Sequence, residues 1–393
     1  MGVRQCHKHI FSAQGSSESL SVKKRAQKFA NPVAAGARLA PIDGWKRELK
    51  LMGEVFSIAS VTVAYNGAEV LARHLEALKG QTRKLDEIIV INNASTDDTT
   101  NLLATEYPEA TLLNLPENGG VGGGYAAGLT YAALTKKYDW VWLFDQDSVP
   151  ALDSLELLLA ALQHPDSPAA GAAILAPVSV NKERGLVYPL VVWRNGLRML
   201  SADGGKDEIS FVDSVISSGT LIRREAVEKA GLPRADFFMD FVDHEYCLRL
   251  RRLDFKIAVV ASSRLDHTLG DPREVSFLGL AKVWTGHAPW RAYYMTRNEI
   301  FTVWNYYPDW RTKFYTVRRL LHGALHVLLF GERRLYSLML MYRGFLDGRA
   351  GRLGVRFFPG KKRFVDRRED YSEPDPRNAK FQVKNHRDGY AKK

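Results

Sequence analysis

Asp145-Gln146-Asp147 closes the apolar run Trp140-Val141-Trp142-Leu143-Phe144, so two carboxylates stand where a buried strand emerges into water. Acids one residue apart on an extended end point to the same side and can share a divalent cation. Their oxygen donors suit Mg²⁺ or Mn²⁺, and such an ion would clamp a nucleoside diphosphate. The purely structural alternative is a strand end followed by a turn, since Asp, Ser148 and Pro150 all favour turns. Further on, Asp240, Asp243 and Glu245 crowd into six residues ahead of Arg249, and His267 follows the β-rich stretch Phe255 to Ala261. Acids there could simply serve a helix N-terminus, at about 0.3–1 kcal/mol each. A lone His is commonly a hydrogen-bonded structural residue.

The elements that must position these groups alternate between strand and helix signals, a pattern that gives a parallel sheet covered by helices. Val55 to Ala64 is β-rich and ends at Tyr65-Asn66-Gly67. Leu71, Leu75 and Leu78 then mark a helix. Glu87 to Ile91 ends at Asn92-Asn93, with Ser95 and Asp97 as capping candidates for a helix from Thr99 to Tyr107. Ala110 to Leu115 is a third strand, followed by the glycine-rich Asn118 to Gly124, a helix through Leu134, and the Trp140 to Phe144 strand. Open sheets of this kind bind ligands at the carboxyl ends of their strands. Phe211 to Arg223 reads as one strand through Ser217-Ser218-Gly219-Thr220, with a helix from Arg224 to Ala230.

The chain has 393 residues, 46% of them hydrophobic and 25% charged, enough for a large core. Its net charge of +11 resembles a nucleic-acid signal until it is divided. Residues 1–53 and 351–393 each carry +7, so the stretch between is slightly acidic. Basic ends suit solvated tails or an anionic membrane surface better than a nucleic-acid groove. Cys6 and Cys247 provide neither a disulfide framework nor a cysteine metal site. No run of 18 apolar residues occurs and the N-terminus lacks a secretory core, so the expected location is cytoplasmic. Residues 1–53 read as a disordered basic extension, with Met52 as an alternative start.

Taken in order, Val-Ala-Tyr-Asn-Gly, Ile-Asn-Asn-Ala-Ser-Thr-Asp, Asn-Gly-Gly-Val-Gly-Gly-Gly and Asp-Gln-Asp-Ser resemble a family-2 glycosyltransferase of the GT-A fold. Within it the chain most resembles bacterial rhamnosyltransferases, with galactofuranosyltransferases as near relatives. The resemblance covers about residues 54–305. It implies an α/β fold with a mostly parallel central sheet flanked by helices, a nucleotide-sugar half at 54–150 and an acceptor and catalytic half at 151–305. The first strand ends of the family grip base and ribose, which implies Ala64, Tyr65, Asn66, Asn92 and Asn93 as donor contacts. Many relatives carry an acid where Asn92 stands. The family's glycine-rich loop packs backbone against the donor, implying Asn118, Gly119 and Gly120, while Asp145, Gln146 and Asp147 complete the donor side. Gly122, Gly124 and Ala127 also match a dinucleotide fingerprint, but in the wrong place, after the third strand rather than the first.

By the same resemblance Asp243 falls on the general base, with Glu245 beside it and Asp240 as a rival, because Val242 replaces the motif's leading acid. A carboxylate there can take the proton of an alcohol as the new C–O bond forms. Asp147 and His267 are implied as metal ligands, and Ser218 and Gly219 as the small residues below the sugar. His287, Arg291, Tyr293, Tyr294, Arg297 and Asn298 match a run in the same branch, with Arg291 and Arg297 as diphosphate ligands. The reaction implied is inverting transfer of L-rhamnose from dTDP-L-rhamnose to a glycan or glycolipid. Galactofuranosyl transfer, an inactive nucleotide-sugar-binding protein and a dinucleotide-dependent oxidoreductase are the alternatives. Residues 306–350 read as amphipathic helices, fit either for an anionic membrane interface or for capping the domain, ahead of the basic tail 351–393.

Overall fold

The computed structural model describes residues 56–357 apart from 164–166, 194–196, 201–207, 268–270, 278–279, 287 and 332. The expected disordered extension at 1–53, His287 and the basic tail beyond Phe357 lie outside the described residues.

β1 (Ile58–Ala64) is buried along its whole length, as an apolar strand covered on both faces must be. After α1 (Ala68–Lys79) come β2 (Glu87–Asn92), α2 (Thr99–Glu106) and β3 (Thr111–Asn114). Asp97, one of the foreseen capping candidates, stands one residue before the N-cap Asp98 of α2; its carboxylate accepts from the Thr99 N–H at 3.1 Å and also from the Ala68 N–H that opens α1. α3 (Gly120–Leu129) runs on through a π-type turn at Thr130–Thr135 into β4 (Trp140–Asp145). β5 (Val149–Pro150) and α4 (Ser154–Gln163) lead to the long β6 (Ala172–Asn181). Short β7 (Leu186–Val187), β8 (Leu190–Trp193), β9 (Leu197–Leu200) and β10 (Ile209–Val212) precede β11 (Leu221–Arg223), α5 (Arg224–Ala230) and α6 (Val242–Arg252). The chain continues as β12 (Lys256–Asp266), the hairpin β13 (Asp271–Phe277) and β14 (Leu280–Gly286), and helices α7 (Pro289–Tyr306), α8 (Trp310–Phe330) and α9 (Arg334–Arg349).

The main sheet has the order β10-β12-β6-β11-β4-β1-β2-β3. β3, β2, β1 and β4 are parallel, as the βα alternation predicts. β11 then runs antiparallel to both β4 and β6, so the sheet is mixed, with a second parallel pair in β6 and β12. The single strand expected from Phe211 to Arg223 is two: Gly219, at φ +81°, turns the chain between β10 and β11. That turn returns β11 beside β4. The Gly219 N–H bonds the Leu143 carbonyl at 2.7 Å and its own carbonyl accepts from the Trp142 indole at 2.8 Å.

The glycine run is explained by packing rather than by a dinucleotide. A methyl at Gly124 or Gly128 would collide with Val63 or Val61 of β1. Gly120, at φ +66°, sits where any Cβ would overlap the Phe238 carbonyl. Helix and strand approach this closely only without side chains between them.

Candidate active site

The strand ends open on a cleft of about 800 Å³ lined by Tyr65, Asn93, Asn118, Gly120, Asp145, Gln146 and Asp147, and also by Asp240, Asp243, His267 and Arg291. Asp147 and Asp243 thus share one cavity, although nearly a hundred residues separate them.

Asp145 is anchored on two sides. Its Oδ1 accepts from the Tyr125 hydroxyl at 2.9 Å and its backbone N–H donates to Ser218 Oγ at 3.0 Å. Ser218 Oγ meets Ser148 Oγ at 2.6 Å, and Ser148 meets His267 Nδ1 at 2.8 Å. This chain of hydroxyls brings His267 Nδ1 to 3.5 Å from Asp147 Oδ1. One donor atom from each of Asp145, Asp147 and His267 lies within 4.8 Å of the others. Two carboxylates and one imidazole are a donor set for Mg²⁺ or Mn²⁺. The electrostatics agree with such a fit. Burial pushes the Asp145 carboxyl above its ordinary range, and neighbouring Asp147 and Asp243 add to the effect against the opposing pull of His267 and Tyr125. A cation would relieve that accumulated negative charge.

The turn carrying these acids is tied down from beneath by His74. Its Nδ1 lies 2.5 Å from the Ser148 carbonyl, which can only accept, so Nδ1 carries the proton and Nε2 accepts from Thr62 Oγ1 at 2.8 Å. Burial pushes this imidazole down to about 4, against a smaller upward pull from the Ser148 carbonyl. A folded value below the unfolded one means that stability is complete above pH 6.5 and drains as pH falls toward 4. Relative to His74→Asn, the wild type is expected to lose roughly 2 kcal/mol between pH 7 and pH 5 in urea unfolding. A constant difference between the two proteins would contradict the buried, neutral assignment.

On the donor side, the Gln146 amide brackets the Tyr65 peptide, accepting from its N–H at 2.8 Å and donating to its carbonyl at 3.2 Å. Asn93 holds the glycine loop, accepting from the Gly119 N–H at 2.9 Å and donating to the Gly120 carbonyl at 3.0 Å. Asn118 Oδ1 accepts from the Gly120 N–H at 2.8 Å. Ala64, Asn66, Asn92 and Gly119 are not among the cleft-lining residues. Asn92 is buried and spends its amide on Asn114 and Thr100 and its oxygen on the Ser95 N–H at 2.9 Å. Asn66 accepts from the Thr96 N–H at 2.7 Å. These residues shape the loops that present Tyr65 and Asn93. Ser218 lies beneath Asp145 and supports it, while Gly219 bonds Leu143 and Trp142 of β4, and neither residue lines the cleft.

Two further expectations are corrected by hydrogen bonding. Arg297 is fully buried, and its guanidinium is occupied by the carbonyls of Asp236, Phe237 and Gly354 and by Asn298 Oδ1 at 2.8 Å. It cannot hold a diphosphate. Glu245 is also fully buried, gripped by Arg249 at 2.9 and 3.1 Å and by the Tyr306 hydroxyl, and does not line the cleft. It is unavailable for proton transfer.

What Arg297 does instead is hold the loop that carries the acids. Phe238, Asp240 and Phe241 have φ of +66°, +57° and +66°. Left-handed backbone at non-glycine residues costs of the order of 1 kcal/mol or more each and persists only when neighbours fix it. Asn298 Nδ2 donates to the carbonyls of Phe237, Met239 and Asp240 at 3.1, 2.7 and 2.8 Å, so it and Arg297 together cover the loop's carbonyls. The loop delivers Asp243 to the second position of α6, where its Oδ1 accepts from the His244 N–H at 2.8 Å. Asp240 also lines the cleft but forms a two-pronged ion pair with Arg291 at 2.7 and 3.2 Å. Of the two acids considered as base, Asp243 is the one without an arginine partner among the described residues.

Sequence reasoning missed Tyr125, Ser148, His244 and the Glu299–Arg319 pair, all of which border or brace this cleft. Tyr125 sits in a glycine-rich helix with no local signal of its distant partner. Ser148 was read only as a turn former.

A mixed sheet with paired acids at the end of β4, facing a further acid across one cleft, suits a nucleotide-sugar transferase, and the similarities to known proteins show a glycosyltransferase. Residues 60–231 match the model of glycosyl transferase family 2. It is similar to dTDP-rhamnosyl transferase RfbF of Shigella flexneri, 27% identical over 244 residues, covering 62% of this chain and 78% of that protein. It is also similar to galactofuranosyltransferase GlfT1 of Mycolicibacterium smegmatis, 28% identical over 229 residues, 56% of this chain and 74% of that one. Among solved structures, GalNAc-T7 with UDP, GalNAc and Mn²⁺ shares the fold at a TM-score of 0.50 and 14% identity, over 75% of this chain and 56% of that chain.

Proposed function

We propose that this chain is an inverting, divalent-metal-dependent transferase that moves L-rhamnose from dTDP-β-L-rhamnose to a hydroxyl of a cell-surface glycan intermediate. The observation that carries the reading is the shared cleft: Asp145, Asp147 and His267 at the end of one half, Asp243 at the start of a helix in the other. The similarity to a dTDP-rhamnosyl transferase supports the donor.

Asp243 takes the proton of the acceptor hydroxyl as its oxygen bonds to the anomeric carbon and the bond to the nucleoside diphosphate breaks. Tyr65, Asn93 and Asn118 orient the donor, and Arg291 offers positive charge beside it. Asp145, Asp147 and His267 would hold the cation, which when bound neutralises charge on the departing diphosphate. The acceptor in this reading is a glycan or glycolipid at the inner face of the cytoplasmic membrane. No helix among the described residues is long and apolar enough to cross a membrane.

A second donor is favoured by a specific observation, the similarity to a galactofuranosyltransferase at nearly the same identity. A screen of sugar nucleotides with mass-spectrometric product detection separates the two. Transfer from dTDP-rhamnose and not from UDP-galactofuranose is expected. The reverse preference would replace the donor, and no metal-dependent turnover or hydrolysis of any sugar nucleotide would overturn the reading.

A further inference from the structure

Helix α8 is arranged the wrong way round for water. Its buried residues are Thr312 and Thr316, while Leu321 is 66% exposed and Phe314, Leu325 and Leu328 are exposed with it. With 100° per residue, positions 311, 314, 318, 321, 325 and 328 fall on one outward stripe. Helix α9 repeats the pattern: Leu335 (80% exposed), Met339, Tyr342 and Leu346 follow helical spacing along one side. Its other side is committed, because Gly344 and Gly348 let it press against the α7 backbone. The two helices therefore cap the domain through one face and present a second, apolar face that nothing among the described residues covers. Contiguous exposed apolar surface of this extent marks an interaction site.

The charge around it selects the occupant. Residues 308–357 carry ten Lys and Arg against three Asp and Glu. A second copy of this face would bring like charge against like, and the chain's own basic tail would do the same. Leucines on a helix ringed by Arg311, Arg318, Arg333 and Arg334, with Trp310 at its start, match a helix lying in an anionic lipid interface. Arg319 stands on the flank between this stripe and the buried threonine side. It lines the catalytic cleft, paired with Glu299 at 3.1 Å. We infer that α8 and α9 dock on the surface of an anionic bilayer and that the cleft opens beside that surface. The inference builds on the glycosyltransferase reading and specifies its acceptor as one presented in the plane of a lipid leaflet.

The test is vesicle flotation of the full chain with phosphatidylcholine alone and with phosphatidylcholine containing phosphatidylglycerol, paired with sugar-nucleotide hydrolysis in solution. The wild type should float with anionic vesicles, less so at high salt. Leu321→Glu/Leu325→Glu should bind at least about tenfold more weakly, while hydrolysing donor at the wild-type rate. Equal binding to neutral vesicles, or no binding, would overturn the inference. So would a concentration-dependent dimer that the same substitutions dissolve. Absence of hydrolysis in a wild type that floats as expected would remove the functional reading and leave the docking surface standing.

Discussion

Asp243→Asn is expected to lower kcat by two to four orders of magnitude, about 3–5 kcal/mol of transition-state stabilisation, with little change in donor KM. The size follows from the chemistry: an alcohol is a weak nucleophile, and a base within hydrogen-bond reach removes its proton only as the new bond forms. The substitution is nearly isosteric. An Asn oxygen can still accept from the His244 N–H, so α6 should keep its start and the protein its unfolding midpoint. Asp240→Asn is the informative companion. It breaks the pair with Arg291 and disturbs the 238–241 loop, so its effect should fall on donor binding as much as on turnover. If Asp243→Asn retained near-full activity while Asp240→Asn abolished it, the roles of the two acids would be exchanged.

Asp147→Ala should produce the other large loss, a fall of at least about a hundredfold in transfer together with weakened Mn²⁺ binding measured by calorimetry in the presence of nucleoside diphosphate. Asp147 is half exposed, and His267 at 3.5 Å is its closest ion-pair partner among the described residues, so the fold has little invested in it. Asp145 is different, being braced by Tyr125 and Ser218, and its loss would mix a structural effect with a chemical one. Unchanged metal binding in Asp147→Ala, or transfer indifferent to a chelator, would remove the cation site at Asp145, Asp147 and His267.

Much of the fold was legible because its signals are local. Apolar runs that end abruptly in polar residues fixed the positions of β1, β2 and β4, and Asp97 binds the Thr99 N–H at the start of α2, next to the N-cap Asp98. The paired acids at 145 and 147 were readable as neighbours at a strand end, but β4 stops at Asp145 and Asp147 stands in the turn that follows, so it is the turn and not strand alternation that brings them together. The antiparallel β11 was not readable, since its direction depends on a turn at Gly219 that brings it back beside β4, a pairing between residues far apart in sequence. Arg297 and Glu245 were misjudged for a related reason. An arginine or glutamate in a helical run has the same local appearance whether it faces a ligand or is consumed by buried carbonyls and a buried partner. Only the folded loop at 236–241, with its left-handed residues, shows that Arg297 and Asn298 act through position rather than contact with substrate. For α8 the sequence showed an apolar face flanked by cations but could not say which side the domain would cover; the structure leaves the leucines outward and buries the threonines.

The central claim is that one carboxylate and one cation site act on the same anomeric carbon within a single cleft, in one displacement. The anomeric configuration of the isolated product, read from the one-bond carbon–hydrogen coupling at C1, tests it most directly. From a β-linked nucleotide donor the account predicts an α-linked product. A β-linked product would require two displacements and contradict it.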